Sequence, residues 1–343
     1  MILRGVGIGS IYFGIGNTGK PNPSSAFVEV LEDGSVSVLC GAADMGQGST
    51  TTLAQIVASE LSVSVDRVVM TTADTGTTPD SGVSSASRQT YASGNACRLA
   101  AAQARETLLD EAARTLFCES RNQLVLEDGV IRVMGDPHQR LSVADVVAAC
   151  RAKGQLVVSS AAFNPPTTDL DHETGQGTPY ATYAFGTQTV EVEVDTETGE
   201  VTILSVRAVH DVGRAINPQS AEGQIEGGVA MGCGYATMEE VVVEKGNVHT
   251  RTFVEYSIPT ALDVPPIEPV LVEEPAPSGP FGAKGLGEPP TCATAAAVLN
   301  AVYAATGVRM TRLPLTAENV YLALGAAGYR DGIPPTSTGG SCE

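Results

Sequence analysis

A chain of 343 residues with 39 acidic and 20 basic side chains carries a formal net charge of −19. That balance repels a phosphate backbone and excludes nucleic acid as a partner, since such binders cluster Lys and Arg. With 43% hydrophobic and only 17% charged residues, the composition is that of a folded protein, long enough for about two domains.

Residues 5–25, rich in Gly, Ser and Pro, read as irregular, so 1–25 is expected to be an irregular N-terminal segment. Ala26–Val30 and Val36–Cys40 flank Asp33-Gly34, a hairpin signal. Leu53, Ile56, Val57 and Leu61 fall at helical spacing and predict a helix over 49–61. Arg67–Thr72 reads as a strand. Ala100, Ala104, Leu108, Ala112 and Leu116 share one face of a long amphipathic helix that ends near Phe117. Leu124–Glu127 and Val130–Val133 flank Asp128-Gly129, a second hairpin, and Ser142–Arg151 reads as a capped helix.

The polar segment Asn164–Thr178 is expected to be a surface loop or a boundary. Thr187–Val194 and Val201–His210 form a third hairpin candidate around Thr196-Glu197-Thr198-Gly199. Residues 216–231 read as a helix, and Val241–Glu244, His249–Tyr256 and Pro269–Val272 as strands. Pro289 and Pro290 suit the first turn of a helix running to Ala305, and Glu318–Leu324 closes the fold. Elements mix without regular βαβ alternation, so the fold class is α+β. The expected division is a first subdomain over 26–165, on which 290–325 could also pack, a second over 166–327, and a flexible tail over 328–343.

The seven cysteines are scattered with no CxxC pair, which reads as reduced cytoplasmic thiols and leaves no iron–sulfur site on this chain. No stretch approaches the ~20 apolar residues of a membrane helix, and no secretory signal is visible. Gly14-Ile15-Gly16-Asn17-Thr18-Gly19 fits GxGxxG, but Lys20-Pro21-Asn22-Pro23 cannot continue the helix that a dinucleotide fingerprint must open. The four histidines lack metal-ligand spacing, and no metal ligand is expected from the chain.

Three small-residue segments lead into predicted helices: 41–48, 81–90 and 282–290. Such turns offer N–H groups and a positive dipole end to an anion, although ordinary capped turns would read the same. Gln47, Arg88 and Gln89 add side-chain donors. Glu288, between Gly287 and two prolines, is the candidate general base, because prolines leave few N–H groups to tie its carboxylate up. A plain acidic residue at a helix start is the alternative reading.

At these segments the sequence resembles the xanthine dehydrogenase/aldehyde oxidase family of molybdenum hydroxylases, in the second half of the molybdopterin-binding subunit. The collinear elements are Met45-Gly46-Gln47-Gly48, Ala86-Ser87-Arg88-Gln89, Gly223-Gln224-Ile225-Glu226-Gly227 and Lys284-Gly285-Leu286-Gly287-Glu288-Pro289-Pro290. The resemblance implies two mixed subdomains of the molybdopterin-binding type. It implies a molybdopterin dinucleotide in its cytosine form, with molybdenum, contacted by Met45, Gly46, Gln47, Ala86, Ser87, Arg88, Gln89, Gln224, Lys284 and Gly287. Glu288 would take a proton from the water-derived oxygen while hydride passes to the metal centre.

The family's first half is not recognisable here, and Met1 starts near where the second half begins. We therefore expect a split subunit that is active only with a large molybdopterin subunit, with [2Fe–2S] and FAD on further partner chains. This split, with Met1–Gly5 and Gly16–Ala26, is similar to the nicotinate dehydrogenases of anaerobic bacteria. The resemblance thus implies hydroxylation of a nicotinate-like N-heteroaromatic. A purine or aldehyde hydroxylase, or a non-catalytic carrier subunit, stays open. Tyr12 and Phe13 are candidates for the substrate pocket, or else plain core aromatics.

Overall fold

The computed structural model of the chain describes residues 1–17, 21–329 and 333–334. In chain order the elements are β1 (Ile2–Gly14), β2 (Ser24–Val30), β3 (Val36–Cys40), α1 (Ser49–Leu61), β4 (Val68–Thr72), α2 (Gly94–Thr115), β5 (Leu124–Glu127), β6 (Val130–Val133), β7 (Asp136–Ser142), α3 (Val143–Ala152) and β8 (Val157–Phe163). There follow β9 (Tyr183–Asp195), β10 (Val201–Asp211), α4 (Pro218–Thr237), β11 (Val243–Glu244), β12 (Asn247–Val248), β13 (Ile267–Val272), α5 (Pro289–Cys292), α6 (Thr294–Thr306) and α7 (Ala317–Ala326). The mixture of sheets and helices is the expected α+β class.

Local chemistry explains much of this. Ser142 and Asp145 form a capping box at α3: the Ser142 hydroxyl accepts from the Asp145 N–H, and the Asp145 carboxylate accepts from the Ser142 N–H. Asn217 caps α4 by accepting from the Ser220 N–H. The predicted hairpins β2–β3, β5–β6 and β9–β10 all pair antiparallel.

One sheet has the order β4-β3-β2-β8, and another β1-β9-β10-β13. Leu53, Ile56, Ala100, Leu108 and Val146 belong to a core built on the first sheet. Val192, Ile225, Val229, Val298 and Ala301 belong to a core built on the second. Residues of α6 and α7 sit in this second core, so 290–325 does not join the first.

The largest departure from expectation is β1. Residues 2–14 are not irregular; they form a 13-residue strand paired with β9 along its length. Gly5, Gly7 and Gly9 hid it, because glycine is depleted in strands. Packing explains them. A Cβ on Gly7 would lie 2.1 Å from the Ala297 carbonyl oxygen and 2.2 Å from the Ala301 nitrogen. The alanines of α6 and the glycines of β1 therefore meet backbone to backbone, which seats α6 and the turn before it on the sheet. Gly7→Ala is expected to destabilise the chain by ~1–3 kcal/mol through overpacking. An unchanged denaturation midpoint would show that α6 does not need this approach.

Other expectations shift as well. Residues 249–256 form turns rather than a strand, and β11 and β12 make only a two-residue hairpin. Strands β7 and β8 were not foreseen. Gly14 ends β1 and, among the described residues, no helix opens after it; Thr18 and Gly19 of that motif, and Lys20 after it, lie outside the described residues. So does the predicted flexible tail from residue 330 on, apart from 333–334. Among the described residues no helix is long and apolar enough to cross a membrane.

Candidate functional site

The three small-residue segments converge. The first follows β3 into α1, the second precedes a wide π turn at Gln89–Ser93 that continues as α2, and the third runs into α5. With the start of α4 they wall a cavity of about 380 Å³. Met45, Gln47, Ser87, Arg88, Gln89, Gln224, Lys284, Gly287 and Glu288 all line it, while Gly46 and Ala86 lie beside these within the same loops.

Glu288 sits on the cavity wall, exposed in this chain. The Ala86 N–H donates to its Oε1 at 3.0 Å, and the Ser87 hydroxyl reaches Oε2 at 3.4 Å. The Glu288 N–H donates back to the Ser87 hydroxyl oxygen at 2.9 Å. Ala86 and Ser87 have φ of 51° and 53°, the left-handed region that non-glycine residues avoid. Such strain costs on the order of 1–3 kcal/mol per residue and persists only where neighbours hold it. Here Glu288 is one such neighbour. Gly285 is another, since a Cβ there would stand 1.7 Å from the Ser87 carbonyl oxygen.

The turns do not offer the donors that the sequence suggests. Asp44 already occupies the N-terminal end of α1, accepting from the N–H groups of Gly46, Gly48 and Thr50 at 2.9–3.2 Å. Burial pushes the Asp44 carboxyl up, but these backbone bonds outweigh it and leave its pKa lowered. Gln47 turns inward: its amide donates to the Ala43 carbonyl and accepts from the Met45 N–H.

Arg88 is 1% exposed, and its guanidinium donates to the carbonyls of Ser81, Val83, Asn22 and Pro23. Gln89 bonds Ser84 and Ser93. The Lys284 ammonium pairs with Asp211 at 2.5 Å, with side chains 8% and 10% exposed. These groups brace the loops rather than face a ligand with free donors.

Some cavity residues keep their donors. Among the described residues, Arg214 and Gln224 make no side-chain hydrogen bond or ion pair with the chain. Gln224 was foreseen and Arg214 was not. Its signal was available: Val212-Gly213-Arg214 is a glycine turn between a strand and the Asn217-Pro218 start of a helix. Tyr12 and Phe13 are not brought to this cavity. Tyr12 stacks on Tyr183 with ring centroids 4.5 Å apart on the open face of the sheet, beside a separate cavity. Phe13 packs with Ile15, Tyr91 and Ala184.

This arrangement fits a molybdopterin. The cavity lining mixes Ser, Thr, Ala and Gly with longer polar side chains, Arg214 is a cation without a partner among the described residues and is suited to a phosphate, and Gln224 is an amide in the same state suited to a pterin edge.

Comparison with known proteins agrees. The sequence profile of the molybdopterin cofactor-binding domain matches residues 1–265. The chain is 34% identical over 339 residues to the putative xanthine dehydrogenase molybdenum-binding subunit of Escherichia coli (strain K12), covering 95% of this chain and 43% of the relative. It is 34% identical over 306 residues to the nicotine 6-hydroxylase large subunit of Paenarthrobacter nicotinovorans, covering 87% of this chain and 36% of the relative. The quinoline 2-oxidoreductase structure from Pseudomonas putida 86 superposes with a TM-score of 0.85 at 31% identity, over 94% of this chain and 42% of that one. The chain thus spans less than half the length of these relatives.

Proposed function

This chain belongs to the molybdenum hydroxylase family as a molybdopterin-binding subunit, and on that premise we propose that it hydroxylates an electron-poor carbon of a nicotinate-like N-heteroaromatic together with the missing half of the site. The overall change is R–H + H₂O → R–OH + 2 e⁻ + 2 H⁺. The bound cofactor would supply the redox centre and hold molybdenum through its own dithiolene. The observation that carries the reading is the Glu288 carboxylate at the cavity wall, oriented by Ala86 and Ser87.

The chain's own residues divide the remaining work. Glu288 Oε1 is engaged by the Ala86 N–H, while the longer Ser87 contact leaves Oε2 as the atom that accepts the proton of the attacking water. Arg214 pairs with a cofactor phosphate, and Gln224 bonds the pterin. Met45, Gly46, Gln47, Ala86, Ser87, Arg88, Gln89, Lys284 and Gly287 shape the cradle, Arg88 and Lys284 by holding its loops. The N-heteroaromatic preference is supported by relatives whose names denote quinoline and nicotine substrates. We assign subdomains to 26–165 and 166–327, a division supported by the two cores. The partners are a large molybdopterin subunit, an iron–sulfur subunit and an FAD subunit in a cytoplasmic complex, and the dinucleotide is the cytosine form.

The test is to purify the native complex and measure molybdenum and pterin dinucleotide, then compare turnover of nicotinate, xanthine and benzaldehyde. Both cofactor components should be present, with nicotinate the best of the three. Their absence from a complex replete in its other cofactors would overturn the assignment, and preference for xanthine or benzaldehyde would replace the substrate class. Arg214→Gln is expected to lower retained pterin and molybdenum about 10-fold or more, the loss of a charge-assisted bond worth ~1.5–3 kcal/mol. Full content in that variant would remove Arg214 from the phosphate site.

A further inference from the structure

Behind the Glu288 turn lies a buried polar network that the reaction does not touch. Gln188, on β9, is fully buried. Its Nε2 donates to the Pro290 carbonyl at 2.6 Å, and its Oε1 accepts from the Thr294 hydroxyl at 2.7 Å. The same Nε2 faces His210 Nε2 at 3.2 Å. The Pro290 carbonyl can only accept, which fixes the amide orientation. His210 Nε2 is then the unprotonated ring nitrogen, and Nδ1 carries the hydrogen. Burial pulls the His210 pKa down to about 4, so the neutral ring that this arrangement needs is the resting form at neutral pH.

A valine or leucine would fill this strand position without the desolvation that a buried amide costs. The amide has a specific use. Pro289 and Pro290 carry no N–H, so the turn after Glu288 cannot be tied down through its own first amides. The Pro290 carbonyl and the Thr294 hydroxyl are the groups by which the sheet can grip it, and Gln188 takes both.

We propose that Gln188 is a positioning residue for Glu288: by clamping Pro290 and Thr294 to β9, it holds the turn so that the carboxylate stays against Ala86 and Ser87. The clamp rests on the reading of Glu288 as the base.

The test is a double-mutant cycle in the native complex with Gln188→Leu and Glu288→Gln. It is assayed on the best of the three substrates above, with molybdenum and pterin measured in every variant. Gln188→Leu is expected to lower kcat on the order of 10–10²-fold at unchanged metal and pterin content, the effect of a small misplacement. In the Glu288→Gln background the same change is expected to alter kcat by less than about twofold, because the group it positions is gone.

Equal factors in both backgrounds would overturn the clamp, since general loosening multiplies through regardless of Glu288. Wild-type turnover in Glu288→Gln alone would overturn the base, and the clamp with it. Thr294→Val removes one contact in a similar shape and serves the same cycle if Gln188→Leu does not assemble. Its kcat is expected to fall only where Glu288 is present, and an unchanged kcat overturns the proposal.

Discussion

Glu288→Gln is expected to keep molybdenum and pterin at the wild-type level and to lose on the order of 10²–10⁴-fold in kcat, the contribution of a general base. Gln has the shape of Glu, and its amide oxygen can still accept from the Ala86 N–H. Its NH₂ can donate to the Ser87 hydroxyl oxygen, so the strained 86–87 turn keeps both of its contacts. What is lost is the negative charge and, with it, the ability to take a proton. The comparison is therefore clean: cofactor content reports on the cradle and kcat on the chemistry. Turnover within about threefold of wild type would take Glu288 out of the mechanism.

Lys284→Met is expected to destabilise the chain by ~3–5 kcal/mol, because it leaves Asp211 as a buried carboxylate without its cation. The pair is short at 2.5 Å and nearly closed to solvent. Asp211 retains the Gly213 N–H at 2.9 Å, which offsets only part of the loss. Adding Asp211→Asn should restore much of the stability, since the uncompensated charge is what costs most. The reading is the shift in denaturation midpoint for the single and double variants. A Lys284→Met midpoint equal to wild type would show that the pair contributes nothing. The same variant should also lose cofactor, since the Lys284–Asp211 pair is one of the ties between the third loop and the end of β10, and only the backbone bond from the Lys284 N–H to the Val212 carbonyl remains.

The elements were legible where local chemistry decides them. The Asp33-Gly34 and Asp128-Gly129 turns, the apolar face of α2 and the Ser142–Asp145 box all act within a few residues of themselves. The 13-residue β1 was illegible because its glycines answer to α6, nearly three hundred residues further on. The 249–256 segment failed in the opposite way: its composition suggested a strand, but the β11–β12 ladder ends at Val248 and the chain turns.

For the site, the sequence singled out three loops that line one cavity and the family to which the chain belongs, since glycine spacing and helix-start chemistry are written locally. Tertiary structure decided what each residue is free to do. Arg88, Gln89, Gln47 and Lys284 looked like ligand donors but are spent on the chain itself, whereas Arg214 went unnoticed and is unspent. Glu288 meets Ser87 across 201 residues of sequence. The reason is physical: a polar group is available to a ligand only when burial and long-range hydrogen bonding have not already satisfied it, and both are properties of contacts between distant segments.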